Sequence, residues 1–195
     1  MPRTLRDQSA GIRHITCRGN RRQPIFVDDL DRESYLGILE HVCTVLSWRM
    51  LCWCLMTTHV HLVIDAPAGT ISKGMQVISG EYAQEFNWRH GYTGHLFQGR
   101  FHARGVIHDD HLLELVPYVD LNPERAGVVE SAELWRWSSH RAHLGLTAPR
   151  SFHDTSWVRR FGATPEGAAA AYADHLQAAR ARFHSGHASS GRDGV

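Results

Sequence analysis

Between Trp48 and Asp65 the chain reads WRMLCWCLM, then TT, then HVHLVID: two runs of β-forming residues parted only by Thr57 and Thr58. Runs that short and apolar are strands, and so short a break pairs them with each other as a tight hairpin. Successive side chains of a strand point to opposite faces. His59 and His61 therefore share one face, while Val60, Leu62 and Ile64 point the other way, into a core. A two-residue loop sets Cys54 opposite His61 and Cys52 opposite Val63, so both thiols join the histidine side.

The flanking segments build outward from this hairpin. GIRHITCRGN alternates and predicts a first strand from about Ile12 to Arg18. DDLDRESYLGILEHVCTVLS places Tyr35, Ile38, Leu39, Val42, Val45 and Leu46 at helical spacing, with Asp28, Asp29 and Asp31 at its positive end. A second helix follows the hairpin through Ile71, Met75, Ile78, Tyr82 and Phe86, with Thr70 as cap and Gly91 as stop. RFHARGVIH reads as a fourth strand, with a bulge expected at Gly105. The order β-α-β-β-α-β predicts an α+β fold: a ferredoxin-like antiparallel sheet with helices on one face. A further helix, DDHLLELVPYVDLN, should end before Pro123. A last one, from about Thr164 to Phe183, has Ala168, Tyr172, Leu176, Ala179 and Phe183 as its docking stripe.

No apolar run approaches the roughly 20 residues that span a membrane. The first residues, MPRTLRDQSAG, have no apolar signal region, so a cytoplasmic protein with no membrane partner is expected. The four cysteines are too sparse for a disulfide framework and read as reduced thiols. A net charge of +1 leaves a nucleic-acid partner open, because the distribution of charge matters more than its sum. Lys73 is the only lysine, and arginine suits phosphate contacts.

Fifteen histidines in 195 residues supply about one His-x-His by chance, so spacing alone carries nothing. Strand context carries more, since two imidazoles on one face are half of a metal site. Tyr118 stands off the apolar stripe Leu112, Leu113, Val116 and Val119, with Glu114 four residues before it and Asn122 four after. Such a tyrosine is either a nucleophile or a packed ring with a wet hydroxyl.

Five blocks then occur in order over about residues 11–145. MTTHVHLV resembles the histidine–hydrophobic–histidine motif of single-tyrosine (HUH) transposases of the IS200-like type. YVDLNPERAGVV resembles their Tyr-x-x-x-Asn-Pro-x-Arg-Ala segment, and HITCRGNRRQPIF their first strand and Arg-Gly-Asn turn. GHLFQGRFHA resembles a Trp-x-Gly-Arg-Phe segment with Phe97 in place of the tryptophan, and WRWSSHRAH a Trp-Ser-Ser element. This long form is most similar to the REP-associated tyrosine transposases. Thr57-Thr58 departs from the usual Pro-Asn or Thr-Asn. Pro117 departs from the usual basic residue before the tyrosine, and a proline there is expected to kink the helix and re-aim Tyr118.

The resemblance implies a transposase domain over residues 1–147; spacing predicts a C-terminal helical extension over 148–183, and composition a disordered tail over 184–195. It implies an endonuclease that cuts and rejoins single-stranded or hairpin DNA, such as REP-like palindromes, through a 5′-phosphotyrosine on Tyr118. His59, His61 and Asn122 would bind Mg2+ or Mn2+, Glu114 would orient the site, and Arg18, Arg21, Arg22, Arg100 and Arg104 would track DNA. The assembly would be a monomer or a homodimer. Two alternatives stay open: a DNA-binding descendant with a disabled tyrosine, and a zinc protein using Cys52, Cys54, His59 and His61.

Overall fold

The β2–β3 hairpin is the centre of the computed structural model, which describes residues 9–188. β2 (Arg49–Met56) and β3 (His59–Ala66) pair in the register a two-residue loop requires: Met56 with His59, Cys54 with His61, Cys52 with Val63. β1 (Gly11–Arg18) lies on the other side of β3, and β4 (His102–Gly105) closes the far edge. The strand order is β2-β3-β1-β4, antiparallel throughout. This is the ferredoxin-like order, in which each βαβ half leaves room for one strand of the other.

β4 is shorter than its sequence suggests, and Gly105 pairs regularly with Arg13 rather than forming a bulge. The irregularity falls in β2 between Met50 and Cys52. There the carbonyl of the skipped residue, Leu51, leaves the ladder and accepts from Trp157 Nε1 and His143 Nε2, each at 3.0 Å.

One face of the sheet is packed by α1 (Asp29–Leu46) and α2 (Thr70–His90). Ile15, Cys17, Val60, Leu62 and Ile64 meet Tyr35, Leu36 and Leu39 of α1 and Met75, Ile78, Tyr82 and Phe86 of α2. Val45 falls outside this stripe and is exposed, because Leu36 and Cys43 turn inward instead. Asp28 and Asp31 form a reciprocal cap at the start of α1, and both also bind Arg89 at the end of α2. Gly74 lets α2 approach the Trp48 ring so closely that a Cβ would lie 2.3 Å from it.

The opposite face is covered too, over its β2 half. Every residue from Met50 to Met56 is buried, the signature of a strand covered on both sides. α3 (Asp109–Asp120) and α6 (Pro165–Ala188) supply that cover. Leu112, Val116 and Val119 of α3 and Ala168, Tyr172, Leu176 and Ala179 of α6 share one core with Cys52, Cys54 and Val63. Thr164 accepts from the Gly167 N–H at the start of α6. α6 continues through Ala188; the rest of the expected tail lies outside the described residues. No helix among the described residues is long and apolar enough to cross a membrane.

α3 runs unbroken through Pro117. Proline has no N–H for the carbonyl four residues earlier, here that of Leu113. His175 of α6 caps this carbonyl, with Nε2 at 2.9 Å. After Leu121 a separate turn, α4 (Asn122–Arg125), takes Pro123 at its start, where a missing N–H leaves nothing unpaired. His175→Ala should therefore lower stability by about 1–2 kcal/mol in chemical denaturation. In a Pro117→Ala background α3 regains its own donor, and the same substitution should cost less. Equal losses in both backgrounds would show that His175 does not compensate for the proline.

Candidate active site

The uncovered half of the second face is polar. β1 contributes His14, Thr16 and Arg18, and β3 contributes His59 and His61. The register sets Arg18 against His59 and Thr16 against His61. Tyr118 reaches over from α3 and stands edge-on to His61, ring centroids 5.8 Å apart at 85°. The His59 and His61 rings are 5.0 Å apart. Asn122, the first residue of α4, hydrogen-bonds His59. One chain thus brings its own tyrosine, both histidines and the asparagine together.

Burial, above all, lowers the pKa of His59 to about 4 and that of His61 to about 3. Arg18 adds to both, and His59 and His14 add to the effect on His61. Both imidazoles are therefore neutral at pH 7, with lone pairs available to a cation. Together with the Asn122 amide oxygen they form a neutral nitrogen and oxygen donor set that fits a divalent ion.

Two further neighbours of this cluster escaped the sequence reading. His14 hydrogen-bonds His61, Nε2 to Nδ1 at 3.0 Å, and its ring lies 6.4 Å from that of Tyr118. Burial, then Arg104 and His111, lowers its pKa to about 4. The signal was present, since His14 is in phase with Arg18 on β1, but it needed the β1–β3 pairing to place it. Arg125 lies over the Tyr118 ring at 4.7 Å and over Phe183 of α6 at 4.0 Å, a cation between two aromatic faces.

The remaining expected residues divide. Arg18 and Arg104 act electrostatically on the histidines. Arg21 and Arg22 lie in the turn after β1 with φ of 51° and 59°, and Arg100 precedes β4; all three are exposed and show no such coupling. Glu114 is exposed on α3 and hydrogen-bonds no described residue, while Arg125 occupies a face of Tyr118.

The four-residue zinc arrangement does not assemble. Cys52 Sγ turns to Asp120 Oδ1 at 3.4 Å and Cys54 Sγ to Met56 Sδ at 3.7 Å. Among the described residues, the one trio of His, Cys, Asp or Glu side chains close enough to hold an ion is Cys52, Asp120 and His143, with ligand atoms within 4.8 Å of one another. Its acceptor is well supplied without an ion. Asp120 takes His143 Nδ1 at 2.7 Å and the Tyr172 hydroxyl at 2.8 Å on one oxygen, and Ser139 and Cys52 on the other. Burial opposes its charge, but His143 and His140 outweigh burial and hold its pKa well below the usual carboxylate range.

The model of the family described as "Transposase IS200 like" matches residues 8–122, more than half of the chain, and the chain belongs to that family. Among solved structures it resembles a REP-associated tyrosine transposase bound to a REP hairpin. Identity is 19%, the TM-score 0.63, and the match covers 80% of this chain and 91% of that one. A second match is a provisionally named transposase from Deinococcus radiodurans, with 16% identity, a TM-score of 0.43, and coverage of 61% and 95%. At these identities the likeness concerns the fold. No curated protein sequence matches the chain.

The lowered histidine pKa values carry a sign. His14, His59 and His61 protonate in the unfolded chain near pH 6.5 but in the folded one only at about 4, 4 and 3. The unfolded state binds more protons between these limits, so stability is full above pH 6.5 and falls as pH drops toward 4. His140, whose pKa is raised, acts in the opposite sense. Thermal melts without added metal should show Tm falling through this window, and His61→Gln should flatten the fall. An unchanged slope in that variant would contradict the assignment.

Proposed function

We propose that this chain is a metal-dependent single-stranded DNA transposase that cleaves and rejoins hairpin-forming DNA through a 5′-phosphotyrosine. The observation that carries this reading is Tyr118 edge-on to His61 at 5.8 Å, with Asn122 on His59, all in one chain.

His59 and His61 would hold a divalent cation through ring nitrogens, and Asn122 through its amide oxygen. Mg2+ and Mn2+ both suit the reaction, and the nitrogen-containing donor set favours Mn2+. Bound there, the ion supplies Lewis-acid polarisation of the scissile phosphate. The Tyr118 oxygen attacks phosphorus and loses its proton. The bond from phosphorus to the 3′ oxygen breaks, leaving a free 3′-hydroxyl and a 5′-phosphotyrosine. Attack by a 3′-hydroxyl on that linkage reverses the step, so rejoining needs no ATP. Arg125 over the ring holds Tyr118 and sets a cation beside the developing charge. Arg18 and Arg104 meet phosphates at the site, and the exposed Arg21, Arg22 and Arg100 extend that track. Glu114 takes no part in this reading.

The similar structure holds a REP hairpin, and a folded palindromic strand of that kind is the substrate proposed for this chain. A monomer suffices, because the tyrosine serves its own histidines. That α3 accommodates Pro117 without a break supports this reading over that of a disabled descendant.

Purified protein should be incubated with Mn2+ and hairpin oligonucleotides taken from the palindromes that flank its own coding sequence. Wild type should give cleaved strand and a covalent protein–DNA adduct. Tyr118→Phe should give neither, and chelation should abolish both. Cleavage that persists in Tyr118→Phe would sink the tyrosine mechanism, and an inert wild type would sink the enzyme reading.

A further inference from the structure

His14 is a polar neighbour of the site to which the reading above gives no role, and it hydrogen-bonds one of the proposed ligands directly. Its ring is nearly parallel to that of His61, at 14°, with centroids 5.2 Å apart. The bond between them, Nε2 to Nδ1, is 3.0 Å long. Two ring radii added to that bond account for the centroid separation. The imidazoles are therefore joined edge to edge along the hydrogen bond, not piled face to face.

A neutral imidazole carries one N–H, and the nitrogen that carries it cannot bind a metal. The bond between His14 and His61 has two forms. When His14 Nε2–H donates, the His61 proton sits on Nε2 and that nitrogen is closed to a cation. When His61 Nδ1–H donates to His14 Nε2, the His61 Nε2 lone pair is free. His59 is arranged alike, with Thr58 Oγ1 3.1 Å from its Nδ1.

We propose that His14 is a positioning residue for the metal: it accepts the Nδ1–H of His61, fixes that tautomer and ring plane, and so presents His61 Nε2 to the ion. This rests on the metal site proposed above. Metal-bound histidines usually donate their second N–H to a carboxylate, a carbonyl or water. Here an imidazole on the neighbouring strand fills that place. His14 is not itself a third ligand, because its nitrogens, those of His59 and those of His61 do not form a set within 4.8 Å of one another. Asn122, on His59, keeps the third position.

The test is Mn2+ binding by the full chain without DNA, followed by the EPR signal of the free ion. His14→Leu, which removes the acceptor, should raise the Kd by about 10- to 100-fold. His14→Gln, whose amide oxygen can accept the same bond, should stay within about threefold of wild type. Pulsed EPR of the wild-type complex with 15N-labelled histidine should count two coordinated imidazoles. A count of three, making His14 a ligand, would overturn the proposal, as would a folded His14→Leu protein that binds like wild type. If His14→Leu does not fold, His14→Gln and the wild-type nitrogen count still decide. Failure of wild type to bind Mn2+ would overturn the metal site itself, an outcome distinct from binding that ignores His14.

Discussion

The carboxylate of Asp120 is the point on which the rest of the structure converges. It is fully buried and accepts from β2 through Cys52, from the Trp-Ser-Ser element through Ser139, from the short turn after it through His143, and from α6 through Tyr172. A buried charge is severely destabilising unless its partners are complete, and removal of one leaves the rest exposed to that penalty. Asp120 stands two residues after Tyr118 and two before Asn122. The positions of the proposed nucleophile and of one proposed ligand are thereby tied to side chains that follow them in the chain.

α6 makes that tie continuous. Tyr172, His175, Arg180 and Phe183 lie along one side of α6 and each meets the tyrosine segment. They contact the Asp120 carboxylate, the Leu113 carbonyl, the Glu124 carboxylate and the guanidinium of Arg125. Arg180 also binds Glu133, so two acids share one cation. The extension and α3 belong to one core, and the polar contacts along its edge fix the azimuth of α3 more tightly than apolar packing alone would.

Much of this was legible in the sequence because it depends on local periodicity. The two-residue break at Thr57-Thr58 dictated the register that sets Cys54 against His61. Alternation separated the histidines from Val60 and Leu62, and the docking stripe of α6 could be read from its spacing. What was not legible depends on pairing between distant segments. His14 acquires meaning only when β1 lies beside β3. Asp120 gains its role only when Tyr172 and His143 are seen around it. The unbroken apolar run of β2 did imply cover on both faces, a signal that outranks the simpler one-layer picture of a ferredoxin-like sheet. The irregularity falls at Leu51 rather than Gly105, and there the displaced carbonyl meets donors on Trp157 and His143 that come from distant segments.

Pro117 and His175 are far apart in sequence yet complete one hydrogen bond. Such a pair makes the tolerance of one segment to substitution depend on the other. With the proline and without the histidine, the helix that carries Tyr118 would hold a bare carbonyl. With the histidine and without the proline, α6 would carry only a spare polar group. A C-terminal helix grafted onto this α3 would therefore need a donor at the place of His175.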